Sequence, residues 1–394
     1  MRFALARLSA SVLALALVAS CASGPSEEEV AEQARVAAEQ ARLAAIPNIA
    51  LNSNVIQEAA VYLAFTRDMA TLRGGFSDPQ SIQDALRRGA AYDARQVSRG
   101  LVAYAAILAL QSPEFVAGVR ANATDRASRD ALVDRIVGDP GSASRLPGAD
   151  AAAGLIMGTL ENDVRLLREA ADSVENDAYA IQADGRRDWA RVAVPDREAR
   201  LNTVRGLSRP SLAPADEAAR LSAAAQSGSG LGVSADRRRS PPYPQSVENA
   251  LTLAALALLD GAGENARANT DALMYDRASL DCFESSKLNL FQCLAASRPS
   301  YEDMFCLGRH VVRDLGQCAR GAALPAGLVT VGAPTQSRVE TAPLISPRAL
   351  EDAQPTPPAA VEPTPTPAPS IATGNPTATT ATQRLNSQVQ APER

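Results

Sequence analysis

Across 394 residues the chain carries one histidine, His310, one lysine, Lys287, and one tryptophan, Trp189. A lone histidine excludes every metal centre built on two or more imidazoles. It leaves at most one Ser/His or Cys/His pair for nucleophilic chemistry. All but one of the 39 basic residues are arginine, and the net charge is −5. The basic footprint of a nucleic-acid binder is therefore missing. No apolar run reaches the length needed to cross a bilayer of about 30 Å. The chain has no glycine-rich phosphate loop, no nucleophile elbow and no HExxH pair. No metal, cofactor or catalytic residue is expected.

What the chain has is alanine, leucine and valine. Hydrophobic residues make up 46 % and aromatics only 4 %. Such a core is helical, and the predicted class is all-α. Ser26-Glu27-Glu28-Glu29 opens a helical spacer over 21–46 with a capping signal and acids near the positive end of the helix dipole. A helical body follows over 47–226. Within it Asp78-Pro79 opens one helix, and Val97, Leu101, Tyr104 and Leu108 form a stripe on the next. Leu155, Leu160, Val164, Leu167 and Val174 keep a helical period through 150–184. Residues 227–243, with Ser227-Gly228-Ser229-Gly230 and Arg237-Arg238-Arg239, read as a flexible linker. A second, smaller helical unit spans 244–322, beginning with a segment around Leu251–Leu259 that is apolar nearly all round. Residues 323–394, rich in Pro, Thr and Ala, read as a disordered tail.

The first residues have a different pattern. Arg2 and Arg7 precede an apolar run over 12–19, and Val18-Ala19-Ser20-Cys21 closes it. A short basic start, an apolar middle and small residues before a cut describe a secretory leader over 1–20. With Cys21 at the cut, the segment resembles the lipobox of bacterial lipoproteins. That resemblance implies acylation of Cys21 and attachment to a membrane through lipid. Ala22 stands where that class places Asp to keep a protein at the inner membrane, which implies the outer membrane, with the chain facing the periplasm. Two or three acyl chains, at about 0.8 kcal/mol per buried methylene, anchor stably.

Cys282, Cys293, Cys306 and Cys318 form the sharpest local feature, and four cysteines in a secreted chain allow three pairings. Asp281-x-x-Glu284 and Pro299-Ser300-x-x-Asp303 each look like the start of a helix, and Gly321 like the end of the second. In an antiparallel hairpin facing residues keep a nearly constant sum of numbers. Cys282–Cys318 and Cys293–Cys306 satisfy one such register, whereas the crossed pairing needs two. Cys282 and Cys293 on one helix would stand about 16 Å apart at 1.5 Å per residue, beyond the roughly 7 Å a disulfide spans. The spacing favours the nested pairs. One feature opposes them: Cys306 lies off the apolar side made by Tyr301, Met304, Phe305, Val312 and Leu315, so the second helix must rotate or bend. The arrangement is similar to the twin-cysteine hairpins of the coiled-coil-helix class, with longer spacing here. The cysteines are too far apart in sequence for a usual zinc site.

Other candidates reduce to ordinary roles. His310 is four residues from Cys306, which a disulfide would consume. Trp189, among Arg186, Arg187 and Arg191, reads as a ring packing a helix end. Arg237–Arg239 reads as a solubilising run. Glu161 on the long helix is the one candidate acid for a wall-modifying enzyme similar to lytic transglycosylases, but the signatures of that family are missing around it. The leading expectation is a non-enzymatic envelope lipoprotein, a tether, adaptor or assembly factor whose partner is an envelope protein or peptidoglycan. The enzyme would show a cleft gathering buried acids; the adaptor would show an apolar groove.

Overall fold

Short polar side chains start most of the helices by taking the N–H groups that a first turn leaves unpaired. The computed structural model describes residues 28, 30–36, 48–234 and 237–325. Asn52 accepts from the Val55 N–H and opens α1 (Ser53–Thr71). Asp78 caps α2 (Pro79–Ala90), with proline at the first position, and Asp93 caps α3 (Ala94–Leu110). Ser112 caps α4 (Pro113–Ala121), and Asp125 and Ser128 form a reciprocal box on α5 (Arg126–Gly138). The 35-residue α6 (Ala149–Ala183) follows Gly148, whose φ is 81°. Then come α7 (Arg197–Leu207), α8 (Ala215–Ser227), α9 (Gln245–Leu258), α10 (Arg267–Leu273) and α11 (Arg277–Ala296). Last, α12 (Ser300–Leu307) continues through a π-turn (Gly308–Arg313) into α13 (Asp314–Ala323). Among the described residues the fold is all-α without strands; Ala193 and Pro299 make a single antiparallel bridge.

Helix α3 is buried on every side from Gly100 to Leu110. Beyond Arg99 its sequence carries no charge, so it needs no solvent face. Helices α1 and α9 both pack along it. The crossing with α1 is close because residue 100 is glycine: a Cβ there would meet the Glu58 carbonyl oxygen at 2.3 Å. Helix α9 is equally enclosed, with every residue from Asn249 to Leu258 buried. No single described helix is long and apolar enough to cross a membrane.

The separation of a body over 47–226 from a unit over 244–322 does not hold as a division of the core. One hydrophobic cluster runs from Ile49 to Leu324 and contains α3, α6, α9 and the cysteine helices together. The reason is the apolar, all-round surface of α9, which nothing inside 244–322 is large enough to cover. The flexible linker is corrected as well. Within 227–243, the Arg239 N–H donates to the Asp150 carbonyl at 3.0 Å. The Arg237 carbonyl rests where a Cβ on Gly154 would fall, 2.1 Å away. The arginine run is not a solubilising tag: Arg238 pairs with Asp150 and Glu114, and Arg239 with Glu161. The tail boundary moves too, since Ala323 and Leu324 are buried in the core. The leader 1–20, Cys21, most of the spacer 21–46 and residues 326–394 lie outside the described residues; residues 30–36 are helical and exposed.

Candidate functional site

The residues that carry the chemical character of this chain converge on the hairpin of α11 and α12–α13. Disulfides join Cys282 to Cys318 and Cys293 to Cys306, with Cα atoms 5.6 and 5.7 Å apart. These are the nested pairs. At about 100° per residue, Cys282 and Cys293 share one face of α11. Cys306 and Cys318 are one residue further apart, and on a regular helix they would diverge by about 120°. The π-turn between them removes the conflict. A π-turn widens the ring by one residue, so twelve residues turn as eleven would. The bend that the position of Cys306 demands is this inserted residue. Gly308 opens the π-turn where it meets α6, and a Cβ there would lie 2.9 Å from the Glu175 side chain.

The first helix begins earlier than Asp281. Asp276 accepts from the Ser279 N–H at 2.7 Å and starts α11 at Arg277. Asp281 instead lies inside the helix, near Arg277. Asp303, expected as part of a helix start, does something different. It is fully buried and takes the guanidinium of Arg200 on both oxygens, at 2.5 and 2.8 Å. Gln83 and Ser297 each donate to the same carboxylate at 2.7 Å. Arg200 also reaches the Leu294 carbonyl. One buried carboxylate thus gathers α2, α7, α11 and α12, and four hydrogen bonds from three donors compensate the cost of burying charge. A cavity of about 300 Å³ opens beside it, lined by Gln80, Gln83, Arg87, Asp196, Arg200 and Thr203.

Lys287, the single lysine, projects from α11 into the other side of this junction. Its Nζ donates to the Ala90 carbonyl at 2.8 Å and sits 3.3 Å from the centroid of the Tyr92 ring. Burial pushes its ammonium down to about 7, with the Asp93 carboxylate opposing. His310 lies on the π-turn; its Nδ1 stands 3.4 Å from Asp314, and its carbonyl accepts from Ser286. Cys306 is oxidised, so no Cys/His pair forms. Trp189 packs half-buried on the core in a 3-10 turn over Gly185–Arg191. The cation–π contacts among the described residues are Lys287 on Tyr92 and Arg205 on Phe291.

Glu161 is tied to Arg239 at 2.7 Å. Its neighbour Asp163, in the same Glu161-Asn162-Asp163 run, is the acid with the unusual setting; the spacing of the run reads as a solvated side and does not show its burial. Burial raises its carboxyl to about 6, with Arg67 opposing. Its Oδ2, the Tyr62 hydroxyl and the Thr66 hydroxyl are each buried without a partner. Half-buried Glu58 and buried Glu175 and Asp303 are each paired with arginine. On the outer face of the hairpin, Tyr179 is 56 % exposed and meets Phe305 edge-on at 5.7 Å. Together with Tyr301 and Ala178 they line an apolar hollow of about 190 Å³. No protein-family model, curated protein or solved structure matches the chain.

Proposed function

We propose that the chain is a cell-envelope lipoprotein, held at the outer membrane by acylated Cys21 and facing the periplasm. It acts there as a non-enzymatic tether, adaptor or assembly factor. One observation supports this best: four of the five cysteines are consumed in two bridges, which leaves Cys21, at the end of the leader, as the odd one. Bridges of this kind belong to an oxidising compartment. There an unpaired thiol on a chain terminus is reactive, and acylation removes it. The exposed hollow of Tyr179, Tyr301 and Phe305 supports docking of an envelope protein or peptidoglycan, because rigid aromatic side chains are the usual anchors of interfaces.

Metabolic labelling with an alkyne fatty acid tests the anchor. Label that depends on Cys21 and disappears in Cys21→Ser is expected; Cys21-independent label, or none, overturns it. A photo-crosslinking residue at position 179 should capture a discrete adduct in intact envelopes. A second reading, a helical peptidoglycan-modifying enzyme, draws on the raised Asp163 carboxyl rather than on the neutralised Glu161. Release of muropeptides by the purified chain, abolished in Asp163→Asn, would establish it in place of the adaptor.

A further inference from the structure

Helices α6 and α13 pack closely at Gly316, where a Cβ would stand 3.3 Å from the Leu167 Cβ. Beside this contact lies a cavity of about 280 Å³ lined by Val164, Arg168, Asp172, Arg313, Gly316, Gln317 and Arg320. On α6, Val164, Arg168 and Asp172 follow one another at four-residue steps, so they share a face. From the other side Arg313, Gln317 and Arg320, at steps of four and three residues, line the cavity together.

The three arginines differ in how they are satisfied. Arg313 is matched twice: its Nε donates to Glu175 and its terminal nitrogen to Asp172, both at 2.6 Å. Arg168 and Arg320 are half-buried, and neither makes an ion pair or side-chain hydrogen bond among the described residues. Two arginines of like charge, from two helices, line one cavity whose single carboxylate, Asp172, is already engaged by Arg313. Several other half-buried arginines meet an acid, Arg99 with Glu58 and Asp271, Arg187 with Asp177 and Arg239 with Glu161, whereas Arg120, far from this cavity in sequence, is half-buried with its Nε unpartnered. What sets this cavity apart is that two unpaired forks line it together, so a single external anion would meet both.

We propose that this cavity binds a phosphate group. Guanidinium forks recognise planar pairs of oxygens. A carboxylate offers one such pair, whereas a tetrahedral phosphate presents separate oxygen pairs to forks arriving from two directions. Arg168 and Arg320 each take one edge from opposite sides, and Gln317 lines the same cavity from the side of Arg320. The same chemistry is met by a free phosphate ester and by a phospholipid headgroup. The inference stands apart from the anchoring role proposed for Cys21.

Calorimetric titration of the oxidised full chain with sodium phosphate, at constant ionic strength, tests it. One saturable site is expected. Its affinity should fall at least ten-fold in the Arg168→Gln/Arg320→Gln double variant and stay unchanged in Arg165→Gln, whose side chain is exposed and paired with Glu169. Each single variant should lose part of the affinity, and circular dichroism with disulfide mapping shows whether each variant folds. No phosphate-specific heat, or equal affinity in a folded double variant, overturns the proposal. Sedimentation with phosphatidic acid vesicles, using the Cys21→Ser chain, identifies the source. Vesicle binding lost in the double variant supports a lipid headgroup. Phosphate binding without vesicle binding supports a soluble ester.

Discussion

The Nζ of Lys287 lies 3.3 Å from the centre of the Tyr92 ring and donates to the carbonyl two residues before it, at Ala90. In a chain that otherwise uses arginine, the one lysine occupies the one buried cationic position served by a single carbonyl and a ring face. A guanidinium would carry donors there that find no acceptor, and it cannot shed its proton.

Burial lowers the folded-state titration of Lys287 to about 7, below its ordinary value of 10.5. Between these two values the unfolded chain holds a proton that the folded chain has released. Stability should therefore rise with pH from about 7 to about 10, by an amount on the order of a few kcal/mol. Below pH 7 both states are protonated and this slope vanishes. Urea midpoints across pH 6–9.5 measure it, and Lys287→Met should flatten the curve. A variant that keeps the full slope would place its origin elsewhere.

Asp163 has the opposite dependence. Its carboxyl is raised to about 6, so the folded state holds the extra proton between about 4 and 6. The group lowers stability as pH climbs through that window, and the cost, on the order of 2–3 kcal/mol, is fully present above 6. Asp163→Asn should raise the thermal midpoint at pH 7.5 more than at pH 4.5. Equal effects at both values would contradict this account.

Breaking the Arg200–Asp303 pair should be costly, because either single change leaves a buried charge alone. Asp303→Asn and Arg200→Met should each lose about 3–5 kcal/mol. Arg200→Met with Asp303→Asn should lose less than the two losses added together. Chemical denaturation of all four forms closes the cycle; additive losses would show that the two side chains do not act as a unit.

Because one core includes the hairpin, reduction should weaken the whole 48–325 unit in a single transition rather than melt 281–320 by itself. The bridges close loops with sequence separations of 13 and 36 residues. The chain-entropy model assigns about 3 and 4 kcal/mol, and nesting makes the joint effect smaller than their sum. Hydrogen exchange with and without reductant tests this. Protection lost only within 281–320, with α3 unaffected, would rule out the shared transition.

Features that repeat along the chain were readable in the sequence. The period of Leu155, Leu160, Val164 and Leu167 marks a helix over 150–184, and α6 runs Ala149–Ala183. The constant-sum register of the cysteines gives the pairs that the structure contains. Features that depend on distant neighbours were not readable. Arg200 and Asp303 are 103 residues apart and share no local pattern. The segment 227–243 has the composition of a linker; its hold on α6 depends on Gly154 leaving space and on Asp150 and Glu161 facing it. Asp276 and Asp281 are alike as capping signals, and the choice between them is made by burial of Asp276 and Ser279 against Ser98.

The π-turn makes the hairpin a vernier. Two scales of unequal division, eleven residues on α11 and twelve on the opposing strand of helix, coincide at both cysteine marks only because one division is stretched. The coincidence depends on how many residues lie between Cys306 and Cys318, and hardly on which residues they are. Residues within that interval can change without moving the marks while the helix holds, apart from Gly308 and Gly316, whose close approach to α6 leaves little room for a side chain. Deleting one straightens the helix and keeps the marks aligned. Adding one moves Cys318 off its mark by about 100°. In this part of the chain, length itself is the constrained character.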